Sequence, residues 1–438
     1  MRRRHNVALS TLLVLGIIIL CARDQASTLD LPRSKQATAK TPENQVGAPA
    51  SLHILDSLAQ GEHEDGATLV PLAPVVESSL TPLVLDGVPP SGNEQPLVSD
   101  DGEHQVSLTP PSSSEPGAEA HGTALPFQQD LDLELPLSIL QEHATRAPHN
   151  YNPNGARTYA YATFMATRNP SIHDPYFLAI HSLIYRVLWS PRSRTTKYPF
   201  IVFVAEYVTP EQRALLSGAG AIVRELAPVE WTPNVPGVEK RWKDLFAKLN
   251  MWREIEFERI LFLDADAFPL ANIDGMFDVA PVQPCIEEKL QQDDVVADGT
   301  AVCEPYVFAG VAQDPWSGSS TDVNVGAMVF TPSLRMHERL LQNYVKTDKY
   351  DCLMAEQAFL NWQFSRDGAF PATTLERKWG GVFPKEEEEG SLHVVHEKIW
   401  VVEDGWLRRE WVDTWVEMVK YYESSEFGTM RGWDGLVV

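Results

Sequence analysis

The sequence predicts an α/β fold in which a mainly parallel central sheet is flanked by helices, and three observations carry that expectation. Runs rich in β-branched and aromatic residues recur after residue 151: TYAYATFMA (158–166), PFIVFVAEYV (199–208), AIVREL (221–226), RILFLDADAF (259–268) and VGAMVFTP (325–332). Their apolar character is continuous instead of alternating, as befits strands buried on both faces. Amphipathic helical stretches separate them, PYFLAIHSLIYRVLW (175–189), PEQRALLSGAG (210–220) and RWKDLFAKLNMW (241–252). Residues 151–438 suit one large domain of this kind.

What precedes that domain has a different texture. Residues 1–6 are basic, and 7–22, VALSTLLVLGIIILCA, are mostly apolar. Sixteen helical residues reach ~24 Å, short of the ~30 Å hydrocarbon core, so the segment reads as a short signal anchor or a cleaved export signal. The arginines stay on the cytoplasmic side. The expected topology is therefore a single-pass type II protein of the Golgi membrane with a luminal domain, the alternative being secretion after cleavage. Residues 23–150 are rich in Pro, Ser, Gly and Glu, and 51–150 hold 16 acidic residues against one basic, Arg146. Such a segment cannot offset its ordering entropy by burial and reads as a disordered, extended, acidic spacer, open to O-glycosylation. Docking of LPLSIL (135–140) on the body is the weaker alternative.

Over all 438 residues the formal charge is -24, which excludes the basic footprint of a nucleic-acid binder. Four cysteines do not make a stapled scaffold. Cys285, Cys303 and Cys352 allow one disulfide in three pairings. Glu386–Glu389 reads as a solvated acidic loop, and Trp406, Trp411, Trp415 and Trp433 as a capping helix or an acceptor platform, core packing being the stronger reading for most of them.

The sharpest local feature is ERILFLDADAFPLANIDGMFD (258–278). A core strand, Arg259–Leu263, delivers Asp264 and Asp266 at its carboxyl end, where ligands of open α/β sheets gather. In extended geometry an i,i+2 pair faces one side, so both carboxylates could reach one hard cation, Mg2+ or Mn2+, able to neutralise a diphosphate.

Around this pair the chain resembles family 8 glycosyltransferases of the glycogenin-like branch, particularly fungal membrane-bound members. Lys248–Leu249 with Trp252, then FLDAD and LANID, carry the central resemblance. DVNVGAMVFTPS (322–333), AEQAFLN (355–361) and VVHEKIW (394–400) extend it in order. The resemblance implies a nucleotide-binding glycosyltransferase A-type fold and a retaining, metal-dependent transfer of hexose from a UDP-sugar. The acceptor would be a hydroxyl of a glycan, protein or glycolipid. It implies Mn2+, with Mg2+ as the alternative, held by Asp264, Asp266 and His396; a half-buried hydrogen-bonding histidine is the bland reading of the last.

Further roles follow from the same resemblance. Lys248 and Lys398 would reach the phosphates, a solvated lysine being the plain alternative for Lys398. Thr163, Phe164 and Tyr176 would form the uracil pocket, although core packing explains the two aromatics equally well. Asn324 and Gly326 would line the donor sugar, with Ala309, Gly310 and Asp314 nearby. Glu356 and Gln357 occupy the family's Asp-Gln position near the anomeric carbon, glutamate being a departure, and Asp351 stands in for an upstream aspartate. The rival readings are a sugar nucleotidyltransferase, which lacks its glycine-rich loop here, and a catalytically silent binding protein of the secretory pathway. Oligomeric state is not legible.

Overall fold

A computed structural model describes residues 125–316 and 321–436, all within the unit spanning 110–438. The helices are α1 (Leu137–Glu142), α2 (Pro175–Ile184), α3 (Pro210–Gly218), α4 (Lys240–Leu245), α5 (Gly275–Val279), α6 (Leu334–Asn343), α7 (Ala355–Gln363), α8 (Gly405–Tyr422) and α9 (Ser425–Trp433). The strands are β1 (Thr158–Met165), β2 (Phe200–Val204), β3 (Ile222–Glu225), β4 (Phe257–Leu263), β5 (Ala267–Pro269), β6 (Phe308–Ala312), β7 (Val323–Phe330), β8 (Thr373–Leu375), β9 (Gly381–Val382) and β10 (Val394–His396).

Seven strands form the main sheet in the order β3-β2-β1-β4-β7-β6-β8. The first four are mutually parallel, β7 runs against both neighbours, and β8 is parallel to β6. The sheet is thus mainly parallel with one reversed strand, the α/β arrangement that the sequence predicts. β2 and β7 are buried along their whole length, which is why their sequences are unbroken apolar runs. Helix starts follow local chemistry. Asp174 accepts from the Phe177 N–H at 2.9 Å with Pro175 in the first helical position, and Thr209 with Gln212 forms a capping box before α3.

Two expected helices change character along their length. α2 ends at Ile184 and continues as a single π-helical turn, Tyr185–Trp189, while α4 passes into a 3-10 helix, Phe246–Arg253. The second sheet, β5-β10-β9, was not foreseen, because strands of two or three residues leave no period to read. Its consequence is large: β10 pairs His396 directly with Ala267, beside Asp266, across 129 residues of chain. Of the four C-terminal tryptophans, Trp406, Trp411 and Trp415 are buried on α8 as core residues, whereas Trp433 at the end of α9 is exposed.

Residues 125–150 depart from the spacer expectation. α1 packs on α3, Leu140 is fully buried, and Gly218 makes the approach possible, because a Cβ there would lie 1.9 Å from the Leu140 carbonyl oxygen. The short apolar run does dock. Cys285 and Cys303 form the disulfide, leaving Cys352 as a buried free thiol.

The membrane expectation is corrected. No helix among the described residues is long and apolar enough to cross a membrane, so the single-pass association and the Golgi topology are not carried forward. Residues 1–6, the apolar 7–22 and the part of the spacer up to 124 lie outside the described residues.

Two outcomes follow from the packing. Gly218→Ala should cost about 1–3 kcal/mol in denaturant unfolding, as overpacking does. Gly428→Ala, on α9 with nothing within 4 Å of its added methyl, should instead stabilise by roughly 0.5–1 kcal/mol from helix propensity. His181 supplies the pH test. It is fully buried with both ring nitrogens unpartnered, and burial pushes its pKa down to about 3. The unfolded chain binds this proton below its ordinary 6.5, so the stability from neutral His181 is complete above that pH and is lost as pH falls towards 3. Between pH 7 and 5 the wild type should lose about 2 kcal/mol more than His181→Leu; equal losses would remove this role.

Candidate functional site

The carboxyl end of β4 does not run on as an extended strand. Asp264–Ala267 is a tight turn, closed by the Ala267 N–H donating to the Asp264 carbonyl at 2.9 Å. The two carboxylates are brought together by this turn, and not by the i,i+2 alternation of a strand. The turn is anchored from behind, where the Asp264 N–H donates to the Gly326 carbonyl at 2.7 Å.

Gly326 lies in a register break of β7. Gly310 of β6 pairs with Met328, but the next residue, Val311, pairs with Asn324, so one step of β6 spans four residues of β7. The bulging backbone meets the site without a side chain. A Cβ on Gly326 would lie 2.1 Å from His396 Cε1 and 2.7 Å from Asp264 Oδ2. Gly310 has its own reason to be glycine, as a Cβ there would meet the Asn324 carbonyl at 2.9 Å. Ala309 sits deeper in the sheet, paired with Val329 and Thr373, away from the carboxylates.

Asp264, Asp266 and His396 each offer one ligand atom, all within 4.8 Å of one another. The histidine's proton is assigned by its partners. Asn324 Oδ1 accepts from the Gly326 N–H at 2.9 Å and lies 3.1 Å from His396 Nδ1, so Nδ1 must be the donor. The Nε2 lone pair then faces Asp266 Oδ1 at 3.2 Å and Asp264 Oδ2 at 3.9 Å. A lone pair facing two carboxylates needs a proton or a cation between them. Burial lowers the His396 pKa, yet Asp266 and Asp264 outweigh it and raise the net value. Burial likewise opposes ionisation of Asp266, but His396 and Lys398 hold its carboxyl well below the usual range. Two carboxylates and an oriented imidazole, backed by a glycine that leaves room for them, fit a divalent cation.

Two lysines flank this group. Lys248, buried on the 3-10 turn after α4, donates to Asp264 Oδ1 at 2.8 Å and to Glu356 Oε1 at 2.7 Å. Burial alone would lower its pKa; the two carboxylates raise it. Glu356 is raised by burial and pulled back by Lys248. Lys398 donates to Asp266 Oδ2 at 2.8 Å and is half-buried. The polar groups therefore alternate in sign in space: Glu356, Lys248, Asp264, His396, Asp266, Lys398.

The other residues singled out by sequence fall at different distances from this line. Tyr176 packs edge-on against Trp400 at 5.4 Å and feels both Lys398 and Asp266, and burial pushes its phenol up to about 12. Thr163, at the end of β1, is fully buried and its hydroxyl has no partner among the described residues; Phe164 beside it is buried too. Gln357 accepts from the Val325 N–H at 3.2 Å. Asn324 places its Oδ1 on the Gly326 N–H and beside His396 Nδ1. Asp351 is not brought to the carboxylates; it accepts from the Leu353 N–H and borders a neighbouring cavity. Asp314 accepts from the Trp316 N–H in an outer loop.

Sequence reasoning missed two contributors. Asn361 clasps the backbone of Val323, accepting from its N–H at 2.8 Å and donating to its carbonyl at 2.9 Å, and so fixes α7 against β7. Phe127, in the stretch read as spacer, lies 5.5 Å from Lys398 Nζ, with its carbonyl taking the Trp400 indole N–H. The only signal for the latter was the apolar pair Pro126–Phe127 in a polar run.

Comparisons with known proteins agree with this geometry at a distance. No family model matches the chain. An uncharacterized protein of Schizosaccharomyces pombe is 27% identical over 312 residues, 63% of this chain and 82% of its own length. Galactinol synthase 6 of Arabidopsis thaliana is 28% identical over 215 residues, covering 47% of this chain and 60% of the plant protein. The glycosyltransferase GlyE of Streptococcus pneumoniae aligns over 60% of this chain and 63% of its own, at 13% identity and a TM-score of 0.37, too loose a likeness to add to the topology. The chain is thus distantly similar to galactinol synthases, at 27–28% identity over about half its length, and the narrower fungal membrane-bound branch is not supported.

Proposed function

We propose that this protein is a metal-dependent hexosyltransferase that moves a sugar from a UDP-sugar to an acceptor hydroxyl with retention of configuration. The observation that carries the reading is the His396 Nε2 lone pair held between Asp264 and Asp266 at the carboxyl edge of the sheet. The distant relation to galactinol synthases supports the same class.

Charge arithmetic explains why such a cluster suits a nucleoside diphosphate. Glu356, Asp264 and Asp266 against Lys248 and Lys398 leave one net negative charge with His396 neutral. A bound divalent cation, Mn2+ being favoured by the imidazole ligand, reverses the sign and supplies charge stabilisation for the departing diphosphate. Asp264, Asp266 and His396 would hold it. Lys398, half-buried at the outer end, is the cation best placed to move from Asp266 to a phosphate oxygen. Lys248 is committed to two carboxylates and serves to keep the Asp264 carboxylate oriented. Thr163, Phe164 and Tyr176 are the residues proposed for the uracil side, of which the half-buried Tyr176 is the most accessible.

Retention requires either two displacements or attack from the leaving-group face. A double displacement needs a free carboxylate at the anomeric carbon. Glu356 is tied to Lys248, Asp264 and Asp266 belong to the cation set, and Asp351 stands apart. Front-face attack is therefore the mechanism proposed. The bond from C1 to the phosphate oxygen breaks with its electron pair leaving on UDP, the acceptor oxygen bonds to C1, and the acceptor proton passes to the departing phosphate oxygen. Ala309, Gly310, Asn324, Gly326 and Gln357 would shape the donor-sugar side.

The direct test is incubation of the full chain with UDP-glucose, UDP-galactose, UDP-N-acetylglucosamine and UDP-glucuronic acid plus Mn2+, following UDP release and the product anomer by NMR. One donor should be turned over to a product of unchanged configuration, and Asp266→Asn should lower kcat/KM at least a hundredfold with the fold intact. An inverted product, or equal turnover by the variant, would sink the reading. Gly326→Ala provides an independent check, because its methyl must displace the His396 ring: Mn2+ affinity measured by EPR should fall about 10- to 100-fold, as when a group orienting a ligand is lost.

A further inference from the structure

Two cavities flank one indole on α7, and of their walls the transfer chemistry above uses only Gln357. The larger, about 400 Å³, is walled by Gln357, Asn361 and Trp362, by Tyr350 and Asp351 before the helix, and by Asp322. The smaller, about 130 Å³, is bordered by Asp293, Asp294 and Asp367. Trp362 and Ser365 belong to both walls, so the half-buried Trp362 ring stands between two open spaces.

The lining states what kind of molecule would fit. Trp362 and Tyr350 lie within 12° of parallel, their centres 6.0 Å apart, and offer flat apolar surface. Around them stand carboxylates and amides, groups that bond hydroxyls. The acidity is locally answered: Asp293 pairs with Lys346, Asp294 with Arg339, and Lys349 joins Asp322 and Asp351 in the larger cavity. Flat apolar patches ringed by hydroxyl-binding groups, with little net charge, match an uncharged sugar chain, whose rings have C–H faces and hydroxyl rims. A phosphate-bearing ligand would face four or five carboxylates.

The larger cavity also points at the reaction. Gln357 borders it, and because the Gln357 carbonyl oxygen is taken by the Val325 N–H, the amide NH2 is the end left to donate. Val325 precedes Gly326, the residue packed behind Asp264 and His396. Gln357 also follows Glu356, whose carboxylate is joined through Lys248 to Asp264, so a molecule whose end rests at Gln357 lies one residue along the helix from the ion-paired set.

We propose that the paired cavities along α7 are the acceptor subsite and that they bind an uncharged oligosaccharide of two or more units. Its terminal residue lies at Gln357 and the next against Trp362. This inference rests on the hexosyl-transfer reading and narrows its acceptor to a glycan. The test measures binding without donor. Neutral gluco-, galacto- and manno-oligosaccharides of one to four units are titrated into the full chain by calorimetry and saturation-transfer NMR, and UDP with Mn2+ is titrated separately. In one series affinity should rise from the monosaccharide to the trisaccharide. Trp362→Ala should cost that series at least tenfold while UDP affinity stays unchanged. Ser365→Leu, which fills both spaces without removing an aromatic from the core, should do the same. A chain that binds UDP but none of the sugars, or binds them with no loss in either variant, overturns the proposal. Sugars that bind while UDP does not would overturn the transfer reading and leave the subsite standing.

Discussion

Everything at the sheet's carboxyl edge depends on one constraint: three carboxylates, Asp264, Asp266 and Glu356, crowd a largely buried patch and must be neutralised there. Like charges at such distances cannot all stay ionised in a low-dielectric setting without partners. The chain answers by interleaving cations, Lys248 between Glu356 and Asp264, and Lys398 outside Asp266. The interval between the two aspartates is the one place where a titratable imidazole, not a permanent charge, has been set. The cluster is therefore balanced at its ends and open in the middle, and that is where an exchangeable cation belongs.

The fold supplies this arrangement from four stretches far apart in sequence, and the supporting contacts are strand pairing and amide side chains. β4 brings the aspartates, β10 brings His396 by pairing with β5, the bulge in β7 brings a bare glycine, and α7 brings Glu356. Each stretch is fixed by something other than the charges it carries. Asn361 clamps Val323, Asn324 holds the imidazole, and Gly326 carries the Asp264 N–H. A site held by such contacts keeps its shape whether the central position holds a proton or a metal, which is what preorganisation requires.

How much of this was legible depends on the length scale of the signal. The long apolar strands and the Asp264–Asp266 pair could be read because burial on both faces writes an unbroken run of Ile, Leu, Phe and Val. β5, β9 and β10 could not, since two or three residues carry no period, and His396 entered only through a resemblance of motifs. The turn at Asp264–Ala267 was misread as extended because both conformations bring the two side chains together. α1 was masked by its acidic, proline-rich surroundings; its docking depends on Gly218, a glycine at the end of another helix whose meaning appears only when Leu140 lies against it. The glycine in β7 had a visible position and an invisible reason.

Glu356 shows most clearly how a departure from a family pattern can be structural. An aspartate there would be one methylene shorter, and the carboxylate would draw back from Lys248. The glutamate instead reaches the ammonium at 2.7 Å and is itself almost wholly buried. α7 begins at Ala355 with φ +50°, a left-handed backbone that costs a residue bearing a Cβ about 1–3 kcal/mol. Of the two side chains that follow, Glu356 reaches Lys248 and Gln357 reaches the Val325 N–H while bordering the larger cavity, so neighbouring residues serve two different surroundings. A carboxylate so occupied is a poor nucleophile. The same contacts that occupy Glu356 leave Gln357 with its carbonyl oxygen on the Val325 N–H and its amide at the border of the larger cavity.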